Sequence, residues 1–132
     1  LTKDQLNLLS RQALDAAFRV HSALGPGLLE SAYTACLAYE LGQAGLRVAS
    51  EVAVPIVYNG VKLTDVGYRI DLLVENELVI EVKSSEGIAP VHLSQLVSYL
   101  KLADRRLGLL LNFNVVEFKS GIYRRVNGFP EG

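Results

Sequence analysis

The chain has no methionine and no tryptophan, and one cysteine, Cys36. A single cysteine excludes an internal disulfide framework and a multi-cysteine zinc site. Two histidines, His21 and His92, are too few for a histidine-rich metal centre. There is no repeat, no low-complexity tract and no linker-like stretch. No segment approaches the roughly 18–20 unbroken apolar residues of a membrane span; the apolar-rich run from Leu107 to Phe113 is strand-sized. The N-terminus lacks a basic segment followed by an apolar one, so no secretory leader is expected. The missing initiator methionine implies trimming, and the cytoplasm is the expected compartment. Charge of one sign is also scarce. A net charge of −1 argues against a tight, nonspecific polyanion binder.

What is present suits one domain spanning residues 1–132. Half of the 132 residues are hydrophobic and 20% are charged, enough for a buried core. Charge is graded along the chain. Residues 1–47 hold four bases and four acids, residues 48–88 three bases and seven acids, and residues 89–132 six bases and three acids. An acidic middle beside a basic end is what a cation-dependent site acting on phosphate needs, although a random surface gives the same totals.

The first 45 residues read as helix. Leu6, Leu9, Ala13, Ala16, Ala17, Val20 and Leu24 recur at three- and four-residue steps. Gly25-Pro26-Gly27 breaks the pattern, and a second helix follows with Leu29, Tyr33, Leu37 and Leu41 inward and a stop near Gly42 or Gly45. The period then changes. Val52–Tyr58 reads as a strand that Pro55 pushes to an edge or a bulge, and Asn59-Gly60 as a turn. Two alternating segments come next. Val66, Tyr68, Ile70, Leu72 and Val74 are even-numbered, as are Leu78, Ile80 and Val82. Arg69, Asp71, Glu75, Glu81 and Lys83 are odd-numbered, with Leu73 and Val79 as apolar exceptions. Period two predicts even residues in the core and odd residues on a polar face. A helix over Pro90–Ala103, a doubly covered strand over Leu107–Asn112, and a last hairpin (Val115–Lys119 with Ile122–Val126) complete the chain. The expected fold is α/β, on the α+β boundary: a mixed β-sheet flanked by helices.

The two alternating segments carry the chemistry. If their turn centres on Asn76, paired residue numbers sum to 152. Asp71 then faces Glu81, and Arg69 faces Lys83. Directly opposed side chains share a face with Cβ atoms about 4.5–5.5 Å apart. Two carboxylates about 5 Å apart repel by roughly 3 kcal/mol at an effective dielectric near 20. A divalent cation, a shared proton, or Lys83 and Arg69 must compensate. A cation makes the most chemical sense, because magnesium is held by one or two carboxylates plus phosphate and water, and it activates water for attack at phosphorus. Lys83, two residues beyond Glu81, shares its face. An ordinary cross-strand ion-pair array would use the same residue types.

Asp71 followed by Glu81-Val82-Lys83 resembles the core of the PD-(D/E)XK nuclease superfamily. Gly27-Leu28-Leu29-Glu30-Ser31-Ala32-Tyr33 resembles the GxxExxY signature of a small family placed in it. Gly67–Leu72, Pro90–Leu96 and Leu111-Asn112-Phe113 are similar to further blocks of that family, so the resemblance covers residues 8–126. Ile70 stands where the superfamily motif often has proline. The resemblance implies a nuclease-like fold and a Mg2+- or Mn2+-dependent, endonuclease-like phosphodiesterase acting on DNA, less readily RNA. By position, Asp71, Glu81 and Glu30 would be metal ligands and Lys83 the catalytic lysine. Gln95 and Tyr99 resemble an auxiliary Gln-x-x-x-Tyr pair near the site. Arg69, His92 and Tyr33 are expected to contact substrate. Alternatives for these residues are a capping acid at Glu30, a core aromatic at Tyr33 and a structural rim on the third helix. So small a domain offers little surface to duplex DNA, so a homodimer or protein partner is also expected. The competing reading is a noncatalytic nucleic-acid- or protein-binding regulatory module that keeps the fold.

Overall fold

A computed structural model describes residues 1–131. Helix α1 spans Lys3–Leu24, and α2 spans Glu30–Gln43. Strands β1 (Val48–Tyr58), β2 (Val61–Val74) and β3 (Leu78–Lys83) follow, then α3 (Pro90–Ala103) and β4 (Leu107–Asn112). A short 3-10 turn at Phe118–Gly121 leads into β5 (Ile122–Val126). The five strands lie in sequence order in one mixed sheet. Only β3 and β4 are parallel, as the α3 crossover between them requires. This is the expected mixed sheet with flanking helices, an α+β arrangement.

Local chemistry sets the element ends. Thr2 and Gln5 form a reciprocal capping box at the start of α1. The helix stops where Gly25 takes φ 66°, a conformation open to a residue without Cβ. Leu24, the last residue of α1, and Leu29, just before α2, both expected inward, are 39% and 79% exposed because they flank the break between the helices. Pro55 lies in edge strand β1, with register shifts around it. Asn59 and Gly60 form the expected turn, both at positive φ.

The sheet is buried on both faces, which corrects the expectation of a polar odd side. Leu72, Val74, Leu78, Ile80 and Val82 pack with α1 and α2. Leu73, Val79 and Leu110 pack with Leu96 and Leu100 of α3. Helix α3 comes close because β4 carries Gly108, where a Cβ would lie 2.8 Å from the Leu96 side chain. The face assignment also switches along β2: Tyr68 and Ile70, although even-numbered, belong to the α3 layer. The switch falls at Asp71. Pairs Ser50↔Leu72 and Val52↔Ile70 form, but between them Glu51 takes φ 53° and no pair with Asp71 is made. The register is the same on both sides of this gap, so the interruption is confined to the Glu51–Asp71 position.

Val115–Lys119 does not form the expected strand. His21 Nε2 sits 2.7 Å from the Val115 carbonyl oxygen, and Phe118 packs into the core against His21, Phe18 and Phe113. Burial of Phe118 between α1 and the sheet outweighs a further ladder, and β5 pairs with β4 instead. No described helix is long and apolar enough to cross a membrane.

Candidate active site

The β2–β3 hairpin has the register its sequence dictates. Leu72↔Ile80, Leu73↔Val79 and Val74↔Leu78 all sum to 152. Backbone pairing ends there. At the next position the two acids take over from the ladder. Glu81 Oε2 accepts the Asp71 N–H at 3.0 Å, and Asp71 Oδ2 accepts the Val82 N–H at 2.8 Å. Each carboxylate thus satisfies a backbone donor on the opposite strand, which lets the strands part without orphaning buried amides. Arg69 does not oppose Lys83, because pairing with β3 has stopped; Arg69 pairs with Ala53 of β1 and is exposed.

Burial and like charge dominate the electrostatics. Glu81 is 8% exposed, and burial, then the neighbouring Asp71 charge, push its pKa up to about 8. Burial also raises Asp71, against the hydrogen bond from Val82; Glu51 and Glu30 add to the rise. Lys83, half-buried at the end of β3, lowers both. Without metal, burial and like charge both favour the protonated form of Glu81. A proton or a bound cation on the pair would relieve the repulsion inferred from spacing.

Helix α2 delivers Glu30. The Gly25–Leu29 break sets its start, and Tyr33 fixes the break: the Tyr33 hydroxyl donates to the Gly25 carbonyl and accepts from the Leu28 N–H. Tyr33 itself is fully buried and stacked on Phe113 at 4.7 Å, so it has no surface for substrate. This corrects the substrate role expected of it: the hydroxyl closes a turn and the ring fills the core. Glu30 Oε2 lies 3.4 Å from the Ser84 N–H, and Ser84 Oγ donates to the Leu28 carbonyl, tying α2 to the exit of β3. An open cavity of about 450 Å³ is lined by Glu30, Ser31, Thr34, Ser50, Glu51 and Asp71, among others.

Among the described residues, no three His, Cys, Asp or Glu side chains form a metal-ligand set. Glu30 lines the same cavity as Asp71, and its charge acts on that acid. Glu30 turns to the Ser84 amide, while Asp71 and Glu81 turn to each other's strand. The Asp71–Glu81 pair alone fits a hard divalent ion, which takes one or two carboxylates and completes its shell with water and phosphate. One oxygen of each acid is engaged with a backbone N–H, and the other is left for a ligand.

Helix α3 brings one further predicted residue to the pair. Tyr99 is half-buried against Tyr68, with ring centroids 4.8 Å apart. Burial, then the charge of Glu81, raises its pKa. Gln95, one turn earlier, is exposed on the same helix. His92 is used differently: its Nδ1 accepts the Ala89 N–H at 3.2 Å and helps to start α3. That bond engages one ring nitrogen of a half-buried side chain, and the other nitrogen stays available to the substrate contact expected of it.

Two residues outside the predicted set shape the site. Glu51 faces the ladder gap at Asp71, and its charge reaches both acids. The available signal was its being the one charge within Val48–Tyr58. Asn112 is buried and clasps Ser85 through both its amide oxygen and its amide nitrogen, fixing the loop after Lys83.

The sheet order, the β3–α3–β4 crossover and an Asp–(Glu-x-Lys) cluster where β2 and β3 part define a nuclease-type fold. Consistent with this, the family model of the PD-(D/E)XK nuclease superfamily matches residues 7–126, and the chain belongs to that superfamily. No curated protein and no solved structure matches it.

Proposed function

We infer that this domain is a divalent-metal-dependent nuclease of the GxxExxY type that hydrolyses phosphodiester bonds in DNA, with RNA the lesser substrate. One observation carries the reading: the reciprocal Asp71–Glu81 clasp at the parting of β2 and β3, with Lys83 close enough to bias both acids. Asp71 and Glu81 would hold Mg2+ or Mn2+, with Glu30 an outer acid beside Asp71. Such an ion lowers the pKa of water and offsets charge on phosphoryl oxygens.

The protein groups have separate tasks. Asp71 and Glu81 concentrate negative charge at one point and keep it fixed through the strand amides. The Lys83 ammonium offers a mobile cation for the scissile phosphate or for holding the attacking water. Tyr99 borders the acids on the α3 side, and Gln95 stands one turn away to meet substrate. Arg69, exposed on β2, supplies a phosphate contact. The Asn112–Ser85 clasp fixes the loop behind Lys83.

The test is incubation of the purified protein with single- and double-stranded DNA and RNA in Mg2+ or Mn2+. DNA cleavage is expected. Lys83→Ala should slow it by at least about 100-fold, the scale seen on removing a group that stabilises transition-state charge. Equal cleavage by the variant overturns the assignment of Lys83. A second reading, a noncatalytic binding module, takes the reciprocal Asp71–Glu81 clasp as a purely structural closure of the strands. Nucleic-acid binding that is indifferent to chelator, with no Mn2+ uptake by calorimetry, would select it.

A further inference from the structure

The β1–β2 hairpin runs well past the rest of the sheet. Strand β3 pairs with β2 only at Leu72–Val74, so the tip pairs with nothing but itself. Helix α3 covers the base of this arm, where Val54, Tyr68 and Ile70 are packed. Beyond them the arm is apolar and open: Val57, Tyr58, Val61, Leu63 and Val66 are 46–66% exposed. A monomer seldom leaves such a patch, a few hundred Å², in water without a partner.

The chemistry of the arm selects the partner. Over residues 56–66 the only charges are Lys62 and Asp65, which pair with each other at 3.0 Å. A segment of zero net charge has no grip on phosphates, which disfavours nucleic acid at the tip. The two edges of the arm also differ. The outer edge of β1 is blunted by Pro55 and by register shifts, standard protections of a free edge. The far edge of β2 over residues 61–67 has no proline, and six of its seven residues are exposed. An antiparallel pairing of one segment with an identical copy about a two-fold axis matches each residue by symmetry. It would pair the free backbone and set Val61, Leu63 and Val66 of β2 beside their symmetry copies. Two such arms would bury roughly 1,000 Å², the lower bound for a specific interface.

We propose that the β2 side of this arm is a dimerisation edge that takes the same edge of a second copy of this chain. The free edge leads to Asp71, so the partner's arm would run toward the mouth of the candidate active site. The inference stands apart from the nuclease reading, because sedimentation and amide exchange read it without catalysis or metal.

Sedimentation of the full chain over a concentration series should show a monomer–dimer equilibrium. Leu63→Glu, at a 61% exposed position, should weaken it at least tenfold, about the effect of one buried anchor lost. Val116→Glu, at an 88% exposed apolar residue in the segment after β4, should leave it unchanged. Amide exchange over residues 61–67 should slow as wild-type concentration rises. A wild type that stays monomeric at about 0.5 mM, equal effects of the two variants, or exchange independent of concentration would each overturn the proposal. So would a Leu63→Glu variant that loses nucleic-acid affinity while its sedimentation matches wild type.

Discussion

The two ends of the β2–β3 hairpin share one register but are held by different forces. At the turn end, Leu72, Val74, Leu78 and Ile80 form ordinary ladder pairs and are buried to the last atom. One residue further on, Asp71 and Glu81 replace backbone acceptors with carboxylates. The first end is stable because it is apolar and fully paired. The second leaves Glu81 buried beside a like charge, an arrangement that ligand-free folding does not favour. Strand geometry is therefore built at one end and, in the proposed function, used at the other.

The sharpest test of this contrast is a cavity at the stable end. Ile80→Ala should lower unfolding free energy by about 2–5 kcal/mol in a denaturant titration, since Ile80 is fully buried between packed layers. A loss near that of an exposed site would show that the two ends are not distinct.

Next in size is the pH response of the functional end without metal. Glu81 binds its proton up to about pH 8 in the folded state but only to about 4.5 when unfolded. Between those values the folded state holds more protons, so stability must fall as pH rises through that window and level off above it. The fall should be on the order of a few kcal/mol. In chelator, Glu81→Gln should flatten this slope and raise the melting temperature at pH 8, while removing cleavage. Adding Mn2+ at pH 8 should restore stability to the wild type and much less to the variant. A wild-type profile that rises from pH 5 to pH 8 would refute the buried-acid account.

Smaller effects mark the supports. Tyr33→Phe keeps the stacked ring but removes two hydrogen bonds at the α1–α2 break. A loss of about 1–2 kcal/mol is expected from thermal unfolding. Replacing Glu51 by Gly relieves its left-handed backbone and should stabilise the metal-free chain by about 1 kcal/mol. An unchanged or lower melting temperature would mean that Glu51 is not strained there.

Much of this protein was legible in its sequence because the relevant forces are local. Helical periodicity and Pro90 placed α3, and the run Leu107–Asn112 placed β4. The break at Gly25-Pro26-Gly27 separated α1 from α2, and the alternation around Asn76 fixed the 152 register that opposes Asp71 to Glu81. What the sequence left open depends on distant partners. The odd side of the hairpin is a second core only because α3 lies on it, as Leu73 and Val79 show. The face switch at Asp71 falls where the β1–β2 ladder is interrupted opposite Glu51, a tertiary feature that β2's own alternation does not carry. Tyr33 has the residue type that a substrate contact would have; its burial turned on which backbone groups the fold left unpaired beside it. Side-chain period and turn chemistry are encoded within a few neighbouring residues. The direction of a polar group is settled by the nearest unsatisfied donor or acceptor, and only packing brings that group within reach.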